Sequence, residues 1–458
     1  MKKILVGLSA VLTLGIMAAC GGGGTPAAPP AGNGGGGDAA APADTNDGGN
    51  GGGDTAEAPA DAAGTLTWLS LGGTWEDHTR SILARYQEET GINVVFDGYP
   101  FNALFEIIEV RIAAGTSDFD VISVDVPMVA SYATRGLISP LDAYFTADDK
   151  AQWIPSALAA GSWQGVFYAA PMNTSSQLLW YNVDLLAEGG VTVRDSDVNN
   201  RLTWEEIVDY ATTALDVIDP DRNQGIEGIV FQQVGRTYQM VALAHSRGEL
   251  GIGADGFTVD GVINTNGWVE AYTWWQNLYT DGLALRGFTP EDSSPNFNSG
   301  NILFMVGGTW TAGQIGDVNF AFAPHPAFRG FENQVGTPTG SWHFGINSGS
   351  EQHDLAADFI RFMSLGEGND MWLGINNDVP STLSAIAALE ADAEANPIMA
   401  IAAFEAANTA VPRALTPGFP EYATILDATF DDIRNGADVR SALDEAVMRI
   451  DNAFERLR

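Results

Sequence analysis

From Thr65 onward the chain alternates between short apolar runs and amphipathic stretches. TLTWLSL reads as a strand, TWEDHTRSILARYQEET (about 75–90) as a helix closed by Gly91, and INVVFDGY as a second strand. Thr74-Trp75-Glu76-Asp77 has the spacing of a capping box at the start of that helix. ALFEIIEVRIAAG (103–115) has helical spacing and leads to FDVISVD, a near-continuous apolar run of the kind buried on both faces. Strands alternating with helices predict a parallel α/β sheet covered on both sides.

The pattern persists further on. Thr203-Trp204-Glu205-Glu206 predicts a second capping box, opening the helix TWEEIVDYATTA. In NGWVEAYTWWQNLYTDG (266–282), Trp268, Tyr272, Trp275 and Tyr279 recur at helical spacing and Gly282 closes the helix. HDLAADFIRFMS is amphipathic, and the C-terminal stretch reads as several helices broken at Pro397, Pro412, Pro417 and Gly436. Trp204, Trp268, Trp274 and Trp275 fall on helices and are expected to pack. ILFMVGGTW (302–310) is different: a buried strand, a Gly-Gly break, then Trp310. The two glycines are expected to let the backbone turn sharply and aim the indole out of the core.

Composition fixes the scale. The chain has 458 residues, 45% apolar and 10% aromatic, enough for a large core and for two domains. Its formal charge of −37 repels nucleic acid and anionic headgroups, so nucleic acid is excluded as a partner.

The N-terminus predicts an address. Lys2 and Lys3 precede an apolar run, Ile4 to Met17, that is too short to span a bilayer comfortably. Met17-Ala18-Ala19-Cys20 then resembles a bacterial lipobox, with Met where Leu is usual, so residues 1–20 read as a lipoprotein signal and Cys20 as the lipidated residue. Cys20 is the chain's one cysteine, which leaves no intramolecular disulfide. Residues 21–64 are almost entirely Gly, Ala, Pro, Asp and Asn, without large apolar side chains, the composition of a disordered tether.

Catalytic signatures are scarce. The five histidines are scattered, no GK[ST] loop or GxSxG elbow occurs, and adjacent acids such as Glu205-Glu206 suit a helix N-terminus. No cofactor is implied. One loop, Asp219-Pro-Asp221-Arg-Asn223 through Glu227, spaces oxygen ligands like the start of a calcium loop, although Val230 stands where the bidentate Glu is required. The rival reading is a polar turn.

The order of segments resembles the extracellular solute-binding proteins of ABC importers, above all the sugar-binding group typified by maltose-binding proteins. The matching pieces are ETGINV, FDVISVD with YATRGLISPLD, VFYAAPMNTSSQLLWYNVDLL, LTWEEIVDYA, FNSGNILFMVGGTW and GSWHFGINSGSEQHDLAADFIRFM. The resemblance implies a type II, two-lobe α/β fold with discontinuous lobes, 65–173 plus 340–379 and 174–339 plus 380–458. Crossovers are expected near 170–174, 339–343 and 379–381. It further implies a ligand cleft that closes by hinge motion, and a monomer that hands its cargo to a permease at the outer face of the cell membrane.

Recognition of a neutral sugar needs flat aromatics for C–H faces and carboxylates, amides and hydroxyls for the rim. The resemblance places Trp310 at a sugar-stacking position and Asp125, at the end of FDVISVD, beside a sugar-contacting loop. Thr74 and Trp75 in the first strand–helix loop, Asn173 and Ser175 at the first crossover and Trp342 at the second complete the candidates. Trp75 is equally expected to pack as the start of its helix. Ser175 replaces an expected Glu. No Arg or Lys cluster accompanies these candidates, which favours a neutral carbohydrate over a phosphate or carboxylate. A cationic solute such as a polyamine is the rival ligand, and an extracellular glycosidase the remote alternative.

Overall fold

The computed structural model describes residues 64–113, 118–376 and 378–458. The expected signal segment, Cys20 and the tether up to residue 63 lie outside the described residues, as does the side chain of Thr74. The described chain forms two α/β lobes, each built on its own sheet.

The first sheet begins as the pattern predicts, with β1 (Gly64–Leu71), α1 (Thr74–Thr90), β2 (Ile92–Tyr99), α2 (Phe101–Ala113) and β3 (Val121–Asp125). Its strand order is β2, β1, β3, Trp342–Ile346, Ala170–Pro171. The second sheet orders Phe320–Ala323, Gln177–Asn182, Ile302–Gly308 and Glu227–Phe231. Neither sheet is purely parallel. β1 runs parallel to β2 and β3, but Trp342–Ile346 runs against β3, and in the second sheet only Glu227–Phe231 and Ile302–Gly308 are parallel. Trp342–Ile346 enters after the chain has traversed the second sheet. It is not fed by a helical crossover from β3, so nothing obliges it to run parallel. Every residue of β3 and of Ile302–Gly308 is buried, as strands covered on both faces require.

Two local expectations change. The first helix starts one residue earlier than a box at Thr74 requires: Gly73, which has no side chain to cap with, occupies the N-cap with φ +72°. A left-handed backbone there is what glycine supplies. Its neighbour Gly72 serves proximity instead, since a Cβ on it would stand 3.0 Å from the Gly98 carbonyl carbon. Pro397 opens the helix Pro397–Asn408 where a break was expected, its missing N–H costing nothing in the first turn. The Thr203 box does form. The Glu206 N–H donates to the Thr203 hydroxyl at 3.2 Å, and the Thr203 N–H donates to the Glu206 carboxylate at 2.8 Å. Arg194 beside Glu206 holds its carboxyl at about 2. Trp204, Trp268 and Trp275 are buried, while Trp274 is half-buried.

Three segments meet between the sheets. The Thr174 N–H donates to the Val379 carbonyl (2.8 Å), the Thr174 and Thr339 hydroxyls are 3.0 Å apart, and the Thr339 hydroxyl donates to the Ser175 carbonyl (2.8 Å). Among the described residues, no helix is long and apolar enough to cross a membrane.

Candidate functional site

A cavity of about 760 Å³ opens where the ends of the two sheets face each other. Its first wall comes from the first lobe. Trp75 projects from the start of α1, Phe101 and Phe105 from the first turns of α2, and Trp342 from the head of its strand. The rings interlock. Trp75 meets Trp342 edge-on at 5.5 Å and the buried Trp372 at 4.7 Å, and Phe105 stacks on Trp342 at 6.4 Å. A polar brace fixes their root. The Trp342 N–H donates to Asn173 Oδ1 (3.0 Å), while Asn173 Nδ2 (2.6 Å) and Trp372 Nε1 (2.9 Å) both donate to Asp378 Oδ2. Burial pushes the Asp378 carboxyl up, and those two donors pull against it.

The second wall comes from the other lobe. Trp310 lies in the short 3₁₀ turn Thr309–Gly313 and is 37% exposed, with the Tyr238 ring 6.5 Å away. Ser175 Oγ donates to the Gly340 carbonyl at 2.7 Å and stands 3.2 Å from the Tyr238 hydroxyl, which is therefore the donor of that pair. Burial raises the Tyr238 hydroxyl above its usual range.

The structure thus brings Trp75, Asp125, Asn173, Ser175, Trp310 and Trp342 onto one cleft. It also corrects four expectations. Gly308 does not turn the chain, for its φ of −69° is ordinary; instead a Cβ there would lie 2.2 Å from the Trp310 ring, so glycine makes room for the indole to fold back over the strand end. Asp125 does not present free oxygens, because both are taken by the Arg413 guanidinium. The cleft does contain guanidinium groups, Arg413 and Arg236. Each is bonded within the protein, Arg236 to Gln233 (2.6 Å) and Glu291 (3.0 Å).

Finally, the calcium-loop residues do not converge. Asp219 accepts from the N–H groups of Asn223 (2.9 Å) and Gln224 (3.1 Å), Glu227 accepts from the Leu285 N–H (2.8 Å), and Asp221 and Asn223 are exposed. No group of three or more His, Cys, Asp or Glu side chains placed to hold a metal ion occurs among the described residues.

Sequence reasoning missed Phe101, Phe105, Tyr238, Arg236, Asp378 and Arg413. The four-residue spacing of Phe101 and Phe105 was a usable signal, since it puts both rings on one helix face. Arg413, in VPRALTP, carries no local signal.

Two α/β lobes, the first with strand order β2, β1, β3, Trp342–Ile346, Ala170–Pro171 so that the chain returns to it after the second sheet, have the type II architecture of extracellular solute receptors. Residues 81–401 match the bacterial extracellular solute-binding protein family, and the chain belongs to that family. A binding protein of Brucella abortus (strain 2308) is 24% identical over 231 residues, 50% of this chain and 53% of that protein. The chain thus spans about half the length of the first curated relatives it matches. The sn-glycerol-3-phosphate-binding periplasmic protein UgpB of Rhizobium meliloti (strain 1021) is 25% identical over 317 residues, 66% of this chain and 71% of that one. In fold, the chain is similar to the GacH receptor of Streptomyces glaucescens, solved unliganded and with acarbose. The TM-score is 0.70 at 21% identity, covering 87% of this chain and 99% of that one.

Proposed function

We propose that this chain is the receptor of an ABC importer, capturing a neutral carbohydrate between two closing lobes and delivering it to the permease. One observation carries the reading. Both walls of the cleft offer aromatic faces, and all five charged side chains in its lining (Asp125, Arg236, Asp378, Arg413 and Asp427) are already bonded within the protein. Such a site has flat apolar surface for sugar C–H faces, its two guanidinium groups are already paired with Glu291 and Asp125, and Asp378 and Asp427 accept from uncharged donors. The acarbose complex of the GacH receptor supports the same class of cargo. The lining arginines and the likeness to UgpB favour a phosphorylated polyol as the second reading. The chain acts as a receptor without chemistry on its cargo, as its relatives are named for binding. Met17-Ala18-Ala19-Cys20 supports a lipid anchor at Cys20 holding the lobes at the outer membrane face.

A thermal-shift screen of the full chain against neutral mono- and oligosaccharides, polyamines and glycerol phosphates tests this. A neutral sugar at a hundred times its Kd should add about 2.7 kcal/mol of stability and raise the midpoint. A rise with phosphate esters alone would select the second reading, and a rise with polyamines alone would overturn both.

A further inference from the structure

We propose that the Asp125–Arg413 ion pair is an inter-lobe clasp, which holds the two cleft walls at capture distance and sets solute affinity through lobe closure. Asp125 ends β3 at the centre of the first sheet. Arg413 stands just beyond the short pairing of Thr337–Pro338 with Ala410–Val411 and just ahead of the helix Phe419–Arg434. That helix belongs to the second lobe, where its Phe430 stacks on Tyr272 at 4.9 Å. The partners are 288 residues apart in sequence, and the contact is made by side chains alone. It is bidentate: Arg413 Nη1 donates to Asp125 Oδ2 at 2.9 Å and Nη2 donates to Oδ1.

Arg413 is tied to its own lobe as well. Its guanidinium lies 5.2 Å from the ring centre of Tyr238, on the second-lobe helix Thr237–His245. The cation is thus anchored on one side of the cleft and reaches the carboxylate on the other. Arg236, the cleft's other guanidinium, instead pairs with Glu291 on its own side.

Burial decides what such a pair can do. The two side chains are only 12% and 8% exposed, and Arg413 Nε is buried without a partner. Desolvation therefore offsets much of the attraction, and the pair adds little net stability. Its effect falls on which arrangement is populated: with both partners present the closed walls keep each charge paired, whereas removing either partner leaves the other desolvated and unpaired unless the lobes part. Asp125 and Arg413 are in this sense positioning residues. The dependence of affinity on them rests on the capture reading above; the effect on lobe spacing does not.

Lobe spacing can be read without any solute. In the full chain with Cys20→Ser, spin labels at Glu88→Cys on α1 and Val217→Cys on the helix Trp204–Ile218 report on opposite lobes from exposed positions. In Asp125→Asn and Arg413→Gln, the population at the shortest label distance should fall at least fivefold. Arg413→Lys, which keeps the charge but not the fork, should fall between these and the unaltered pair and serves if Arg413→Gln does not fold. Unchanged distance distributions in Asp125→Asn and Arg413→Lys would overturn the clasp. For a solute found by thermal shift, the same variants should raise Kd at least tenfold, mainly through faster release. If none binds, the capture reading fails and the distances still decide the clasp.

Discussion

The two walls of the cleft present aromatic faces by opposite means. On the first, Trp75, Phe105 and Trp342 interlock with one another and with the buried Trp372, so the platform is continuous with the core. On the second, Trp310 stands largely alone, 37% exposed, with its indole folded over Gly308. The difference separates two contributions that an alanine scan would otherwise mix: the first wall is held by folding energy, and the second presents an indole whose exposed face the proposed solute would cover.

The largest effect should come at the root of the first wall. Trp372→Ala removes a fully buried indole and its bond to Asp378, and should cost about 3–5 kcal/mol in urea unfolding. A loss below about 1 kcal/mol would mean that this wall is not built on the core.

The lobes also bury carboxylates differently, and pH should expose it. In the first lobe, Asp378 accepts two side-chain donors. In the second, Glu227 has one oxygen bonded by the Leu285 N–H and the other buried without a partner, and burial pushes its carboxyl up to about 7. The folded chain therefore holds this proton to higher pH than the unfolded chain does. The associated stability is fully present below about 4.5 and is lost as pH rises toward 7, roughly 3 kcal/mol in all. Glu227→Gln should flatten that fall; an unaltered pH profile would remove Glu227 as its source.

At the second wall the readout moves from stability to affinity. Trp310→Ala should weaken sugar binding by about 10–100-fold and change stability by less than about 0.5 kcal/mol. Loss of stability comparable to Trp372→Ala would erase the distinction between the walls. The smallest effect is expected for Gly308→Ala. Its new Cβ, 2.2 Å from the indole, should displace the ring and weaken binding several-fold, yet add nothing in a chain that already carries Trp310→Ala. An additive penalty would show that Gly308 acts on something other than the ring.

Legibility in the sequence followed the range of the interactions. The helices from Trp204 and Asn266 were visible because caps and apolar spacing are local, and Trp310 was visible because a strand, a glycine pair and a tryptophan are adjacent. The role of Gly308 was not, because the ring it accommodates is a matter of space and not of φ. Asp125 was visible as a strand-end carboxylate, while its engagement by a guanidinium 288 residues away was not. For the same reason the antiparallel entry of Trp342–Ile346 escaped the reading, since it depends on a return from the other lobe.

The central claim is that a neutral solute comes to rest against the Trp310 indole. Fluorine spectra of the chain labelled at its twelve tryptophans, assigned by single substitution, test it most directly. On titration with a binding neutral sugar, the Trp310 resonance should move furthest and that of Trp342 should follow, while Trp204, Trp268 and Trp275 stay fixed. A Trp310 resonance that holds still while the sugar binds would contradict the account.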